Sequence, residues 1–222
     1  MKRFRKSFLW MMVLVLLTGT TAWAAEKPAE KPAAQIEEAC YTEPGIDYRT
    51  PVVIVEDAAA MEAINNTIQM DAGKVASELR KDNLTGAKVT STIRYEMKCN
   101  RLGIVSFTEA RYRYAAHAAN GTTYVKAYMF NTLTGQQATL ADVQALAKAA
   151  GAEKAYTLEA VNAKLVAQAK AQGKPLYQDF AGLKELPQEI YLDSNMHFHA
   201  IVQEMEAAPH AAGIIDIDLD AE

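Results

Sequence analysis

The sequence lacks the short motifs that mark several large enzyme classes. Its 222 residues contain no G-x-S-x-G nucleophile turn, no glycine-rich phosphate loop and no H-E-x-x-H metal motif. It has two cysteines, whereas a structural zinc site usually takes four ligands from closely spaced Cys and His residues. An active site can form without a short motif, but these absences favour a binding function over catalysis, and we predict no cofactor.

Basic residues are also scarce outside the N-terminus. The chain has 23 lysines and arginines against 27 aspartates and glutamates, and without Lys2, Arg3, Arg5 and Lys6 the remaining 19 basic residues give a net charge of −8. No basic cluster is left in that part of the chain. Such a charge repels nucleic acid and anionic membrane surfaces and attracts basic partners. We therefore predict no nucleic-acid binding.

The N-terminus has the three parts of a secretory signal peptide. Basic residues precede an unbroken apolar run at residues 8–17, and Ala22-Trp23-Ala24 places small residues where a signal peptidase cuts. The run is about half of the roughly 20 residues that cross a bilayer. We predict a signal peptide over 1–24, a periplasmic or secreted location and no stable membrane span after cleavage. An uncleaved N-terminal anchor is the alternative.

The composition after the signal indicates a short leader and one domain. The segment 25–38 begins with a repeated Glu-Lys-Pro-Ala and is too polar and proline-rich to pack, which predicts a flexible leader. Residues 39–222 are the right length for a single domain, with 39–135 and 136–222 as possible sub-modules.

The two cysteines are candidates for a disulfide. In an oxidising compartment an isolated pair is usually bonded, so we predict a bond between Cys40 and Cys99. Two buried thiols are the alternative.

The hydrophobic pattern predicts an α+β fold. A strand at 48–55, with Pro51 suggesting an edge position, precedes an amphipathic helix at 58–80 that Asp57 can cap. Strands at 89–99, 104–114 and 124–130 form an antiparallel meander. Thr139 and Thr157 can cap two later helices, and three strand-like pieces follow. Because helices and strands come in blocks, we predict a largely antiparallel sheet with helices packed on one face.

Histidines supply the candidate metal ligands. His197 and His199 are two residues apart in a predicted strand, so their side chains leave the same face, and His117 or His210 could add a third zinc or copper ligand. The alternative is that both are solvent-facing members of an alternating strand. We predict no metal site and keep His197 and His199 as the candidates if one exists.

A loop of small residues near the C-terminus is the candidate ligand-binding segment. It runs over 206–213 between two predicted strands; Pro209 restricts its backbone and Gly213 permits a positive φ. Such a loop is either a compact structural corner or a binding rim. Its candidate ligand-binding residues are Glu206, Pro209, His210 and Gly213.

This loop resembles the C-terminal signature of the extracellular RsiV-like family, domain of unknown function 3298. The family pattern Y-E-I-A-P-Y-A-A-G is matched at six positions and differs at Met205, Ala207 and His210. Residues 111–117 resemble the family's Tyr…Gly-Gly-Ala-His segment, with both glycines lost and His117 kept. Residues 130–135 and 140–143 are similar to its F-D-L-x-T-G and L-x-D-L stretches. The early strand and helix resemble the companion amino-terminal module, domain of unknown function 4163.

The resemblance implies an exported bacterial envelope protein. One family member is the outer part of an anti-sigma factor that binds lysozyme, and another precedes a peptidoglycan deacetylase domain. It therefore implies a cell-envelope binding module, with a lysozyme-like protein or peptidoglycan as possible ligand and His117 as a further candidate residue. One alternative is a hydrolase of wall polymers or peptides in which Glu206, His117 and His210 converge. The other is a structural envelope protein without a ligand pocket.

Overall fold

The structure is a computed structural model that describes residues 34–151 and 156–221. The predicted signal peptide at 1–24 lies outside the described residues. Within them the elements, in chain order, are β1 (Gln35–Glu43), β2 (Ile46–Ile54), α1 (Ala58–Leu84), β3 (Val89–Arg101), β4 (Ile104–Ala115), β5 (Thr122–Asn131), α2 (Leu140–Ala149), α3 (Leu158–Ala171), β6 (Ile190–Leu192), β7 (Phe198–Val202), a 3-10 turn (His210–Ala212) and β8 (Ile215–Asp218).

The first sheet has five strands in the order β1-β2-β3-β4-β5. All neighbours are antiparallel except β2 and β3, which run parallel over a short stretch where Ile46–Tyr48 lies beside Ser91–Ile93. The antiparallel meander predicted for β3, β4 and β5 is present. The α+β class and the largely antiparallel sheet are thereby confirmed.

Helix α1 covers one face of this sheet. Asp57 caps it, because its Oδ1 accepts a hydrogen bond from the Ala60 N–H at 2.8 Å. Ile64 and Ile68 are fully buried against Phe107 and other apolar residues of β4 and β5. Burying side chains of this size stabilises the fold by roughly 1.5–3 kcal/mol each.

The second sheet packs on the opposite face of the first and has the order β6-β7-β8. Side chains alternate along β4, so Ser106 points away from the α1 side that Phe107 occupies, and its hydroxyl accepts a hydrogen bond from the Leu192 N–H of β6 at 3.0 Å. Leu165 of α3 packs with Phe198 on the far side of this second sheet. No helix within the described residues is both long and apolar enough to cross a membrane.

Side-chain amides complete strand edges that no neighbouring strand reaches. Asn65 of α1 accepts from the Val53 N–H at 2.9 Å and donates to the Val53 carbonyl at 2.8 Å, beyond the part of β2 that pairs with β3. Gln203 makes the same two bonds to Val125 on the outer edge of β5. Because a primary amide carries the donor and acceptor of a peptide group, each one replaces a missing strand.

The start of the first sheet differs from the sequence expectation. The predicted leader at 25–38 overlaps β1, which begins at Gln35 and pairs with β2 along its whole length. Most of its side chains are exposed, so β1 has no apolar alternation that could predict it, and its backbone bonds alone define it. Since β1 is the edge strand, β2 lies inside the sheet; Pro51 lies where β2 pairs only with β1.

The predicted disulfide between Cys40 and Cys99 was wrong. Both thiols are free; Cys40 is exposed and Cys99 is buried. Strand β2 separates the two cysteine-bearing strands, and Cys99 lies well beyond Ile93, the last β3 residue that pairs with β2. At about 4.8 Å between strands and about 3.3 Å per residue, their Cα atoms are on the order of 20 Å apart, whereas a disulfide needs less than roughly 7 Å.

Candidate functional site

A cleft of about 290 Å³ opens between the second half of α1 and the strands β3, β4 and β5. We call it the α1 cleft. Arg111 and Arg113 are two apart on β4 and therefore share a face, and Tyr124 of β5 pairs directly opposite Arg111. The residues that line the cleft come from α1, β3, β4 and the start of β5: Val75, Glu78, Leu79, Ser91, Arg111, Arg113, Thr122, Thr123 and Tyr124.

Arg111 is held at the base of the cleft by a buried partner. Its Nε and Nη2 donate to Oε2 of Glu109 at 3.1 and 2.8 Å, and Nη2 also donates to the hydroxyl of Tyr128 at 2.7 Å. The Glu109 side chain is 0% exposed and that of Arg111 13%. Two bonds to one carboxylate oxygen and a third to a phenol fix the plane of the guanidinium, so the cleft floor is preorganised.

The buried network continues to α1 and leaves one atom without a partner. The Tyr128 hydroxyl donates to Oδ2 of Asp71 at 3.1 Å. Burial raises the pKa of Glu109, and the adjacent Arg111 charge opposes that rise. Among the described residues, Oε1 of Glu109 is buried with no hydrogen-bond partner. A buried carboxylate oxygen without a protein partner is uncommon in a protein core.

The wall of the cleft at β5 is held by Glu189, which precedes β6. Tyr124, although 43% exposed, has its hydroxyl fixed by a 2.6 Å hydrogen bond to Oε1 of Glu189. The same carboxylate accepts from Lys126 at 3.0 Å and, through Oε2, from the Ala127 N–H at 2.8 Å. Burial, followed by the hydrogen bond to Glu189, raises the pKa of Tyr124. The tyrosine ring is therefore a fixed, neutral surface beside Arg111.

The predicted C-terminal loop contacts the segment just before β5, the strand whose first residues line the α1 cleft. His210 Nε2 lies 2.7 Å from the Gly121 carbonyl oxygen, so this nitrogen carries a proton and donates. The same nitrogen is 3.5 Å from Oε2 of Glu204, which accepts from the Thr123 N–H at 2.9 Å. His210 and Glu204 thus fasten this part of the chain to the start of β5.

The other predicted residues of this loop have local roles. Oε2 of Glu206 accepts from the Gln203 N–H at 2.9 Å and closes the turn after β7. Pro209 precedes the 3-10 turn, and Gly213 ends it with a φ of +65° and a ψ of −157°. Both are the backbone positions of a structural corner.

Histidine 117 lies apart from the loop contacts just described. It is exposed in the turn after β4, where its φ is +70°. Neither His117, Glu206 nor His210 lines the α1 cleft. The convergent triad that a hydrolase would need is therefore not a feature of this cleft.

Sequence reasoning missed the residues at the base of the cleft. Glu109 and Arg111 continue the face of β4 that carries Val105 and Phe107, which are both fully buried. Two opposite charges on the apolar face of an alternating strand were the signal that could have found them, because such residues are seldom buried unless they are paired.

Comparisons with solved structures identify the fold. A member of the DUF3298 family from Bacteroides fragilis superposes with a TM-score of 0.55 over 86% of this chain and 91% of its own, at 10% sequence identity. A DUF3298 family protein from Pseudomonas aeruginosa gives a TM-score of 0.55 over 85% and 91%, at 13% identity. This chain has the DUF3298 fold. No family model matches the sequence, and no curated protein does.

The DUF3298 fold of this chain pairs the two candidate metal-binding histidines with carboxylates. His197 Nδ1 lies 3.0 Å from Oδ2 of Asp218, and His199 Nδ1 lies 2.8 Å from Oδ1 of Asp216. Although burial opposes it, the hydrogen bond and charge of Asp216 raise the pKa of His199. Across the described residues, no group of three or more His, Cys, Asp or Glu side chains is arranged to hold a metal ion.

A second cleft, of about 310 Å³, lies between the two sheets of the DUF3298 fold. Its floor is apolar, and its charged groups bond to protein partners. Arg94 pairs with Asp47, Lys98 lies 2.7 Å from Glu96, and Asp216 accepts from the Tyr191 hydroxyl at 2.5 Å. The charges of this cleft are therefore compensated within the protein.

Proposed function

We propose that this chain is an exported binding module of the bacterial cell envelope and a member of the RsiV-like group with its companion amino-terminal module. Three features support the proposal: the signal-peptide pattern at 1–24, the net charge of −8 without the basic n-region, and a fold shared with two DUF3298 proteins. In this proposal the mature domain lies in the periplasm or outside the cell.

The observation that carries the binding function is the preorganised α1 cleft. Its volume of about 290 Å³ is at the lower end of the range of small-ligand or side-chain sites, and its base and its Tyr124 wall are both fixed by internal hydrogen bonds before any ligand arrives. Its lining contains one carboxylate, Glu78, and no histidine or cysteine. Hydrolysis of a glycan typically uses two facing carboxylates, so this lining favours binding over hydrolysis.

A basic lysozyme-like protein is the ligand that we propose, with peptidoglycan as the competing one. The negative charge of the mature chain attracts a basic protein and speeds its encounter, an effect that salt weakens. Peptidoglycan offers no comparable positive charge. The resemblance described above points to the same partner.

Retention of the exported protein on immobilised lysozyme and on purified peptidoglycan tests the proposal. The salt should be about 0.01 M and about 0.15 M, where the screening length falls from about 30 to about 8 Å. We expect retention on lysozyme at both salts and more at the lower one. Retention on peptidoglycan alone would mean that peptidoglycan, and not a lysozyme-like protein, is the ligand. No retention on either material at either salt would reject the binding function.

A further inference from the structure

The α1 cleft looks basic from its lining, but its arginines are neutralised. Arg111 is paired with the buried carboxylate of Glu109 at 2.8 Å. Arg113 is paired with Asp82 of α1 at 2.5 Å. A ligand carboxylate would therefore compete with two carboxylates that the protein already supplies. An anion gains little at this site.

The uncompensated charge of the cleft is that of Glu78. This residue is exposed on α1 and lines the cleft. Among the described residues it makes neither a hydrogen bond nor an ion pair, and Lys74, one helical turn before it, is bonded to Asp71 at 3.2 Å. The cleft thus offers a carboxylate to a cation from outside the protein.

Tyr124 adds an aromatic surface to the same cleft. Its hydroxyl is fixed by Glu189, and its ring is partly open to solvent. A lysine or arginine cation is attracted to the face of such a ring. A carboxylate together with a tyrosine ring is therefore a site for a cationic side chain.

Elsewhere in the protein a carboxylate and a tyrosine contact the same cation. Arg80 donates to Glu43 at 2.9 Å while its guanidinium carbon lies 6.0 Å from the centre of the Tyr41 ring. Arg80 also donates to the Tyr41 hydroxyl at 2.6 Å, so this cation contacts a carboxylate and the hydroxyl edge of a tyrosine. In the α1 cleft both arginines already have carboxylate partners and the Tyr124 hydroxyl is bonded to Glu189, so an incoming cation would contact Glu78 and the Tyr124 ring.

We propose that the α1 cleft receives a lysine or arginine side chain of a basic protein partner, with Glu78 as its ion-pair partner and Tyr124 as an adjoining wall. This inference rests on the proposed binding function and specifies which part of the partner is recognised. The net charge of −8 without the n-region favours a cationic ligand over an anionic one at long range as well.

Glu78→Gln in the full exported protein tests the inference against lysozyme. We expect affinity to fall about tenfold and the salt dependence to become shallower, since one charge pair at the interface is lost. Glu62→Gln is the matched control, because Glu62 is exposed on the same helix and does not line the cleft. Equal losses in the two variants would overturn the inference.

A peptide titration tests the cation site independently of whether lysozyme is the partner. Trilysine and triglutamate peptides are added to the wild-type protein and to both variants while the ring signals of Tyr124 are followed by NMR. Shifts with trilysine that disappear in Glu78→Gln and persist in Glu62→Gln support the inference, even if lysozyme itself does not bind. No shift with trilysine, or larger shifts with triglutamate, would overturn it.

Discussion

The ion pair between Arg111 and Glu109 lies inside the protein, and Arg111→Met is the substitution that probes it most directly. Methionine keeps the apolar stem of the side chain and removes the charge, which leaves the fully buried Glu109 without a cation. Removing one partner of a buried pair typically costs about 3–5 kcal/mol. A domain stabilised by about 5–15 kcal/mol would lose a large part of its stability at pH 7.

The loss should depend on pH in a defined direction. Burial raises the pKa of Glu109, and Arg111 opposes the rise, so without Arg111 the pKa rises further. The folded variant then binds the Glu109 proton more tightly than the unfolded chain does. Its stability is retained at pH below the ordinary glutamate pKa of about 4.3 and falls as pH rises through the raised folded value. The deficit should therefore be smaller at pH 5 than at pH 7.

Urea unfolding of wild type and variant at pH 5 and pH 7 measures this difference. Arg113→Met is the control, because its pair with Asp82 is half exposed and should contribute no more than about 1 kcal/mol. The double variant Glu109→Gln with Arg111→Met should recover part of the stability. An Arg111→Met deficit that equals that of Arg113→Met, or that is the same at both pH values, would refute the reasoning.

Four further predictions concern single positions. Gly135→Ala should lower the free energy of unfolding by about 2–4 kcal/mol, because its φ is +71° and a Cβ would lie 2.8 Å from a backbone oxygen of α1; Gly73→Ala, with open space around it in α1, should instead stabilise by up to about 1 kcal/mol. Asn65→Asp should cost about 1–3 kcal/mol in urea unfolding, because a carboxylate cannot donate to the β2 carbonyl that the amide now satisfies. A thiol reagent followed by mass spectrometry should label Cys40 on the native protein and Cys99 only after unfolding, since burial raises the pKa of the Cys99 thiol to about 11.

Each of these has a contradicting result. Equal stabilities of Gly135→Ala and Gly73→Ala would mean that the turn after β5 does not pack on α1 as described. A wild-type stability for Asn65→Asp would mean that the amide does not substitute for a strand. If Cys40 were labelled only after reduction, the result would support a disulfide between Cys40 and Cys99.

The local signals in the sequence predicted most of the secondary structure. Asp57, Thr139 and Thr157 were expected to cap helices, and each accepts a hydrogen bond from a backbone N–H of its helix. The period-two pattern of β3 was visible because one face of its first half is buried, at Val89, Ser91 and Ile93. Both signals depend on neighbours within a few residues.

The features that the sequence did not predict depend on contacts between distant segments. Strand β1 is held by its backbone pairing with β2, which a polar strand does not announce. The α1 cleft exists because the register of β4 and β5 places Tyr124 opposite Arg111 while α1 supplies Glu78. The resemblance selected the C-terminal loop, which is fastened beside the start of β5, and its ligand-binding role stays a prediction. The position of the cleft depends on strand register and helix placement, which the residue types of a single segment do not reveal.

Export is the claim on which the proposed function depends most, and mass spectrometry of cell fractions tests it directly. We expect the protein to be recovered outside the cytoplasm with the mass of a chain that begins at Ala25. Recovery of the full-length chain from Met1 in the soluble cytosolic fraction, with none outside the cytoplasm, would contradict it.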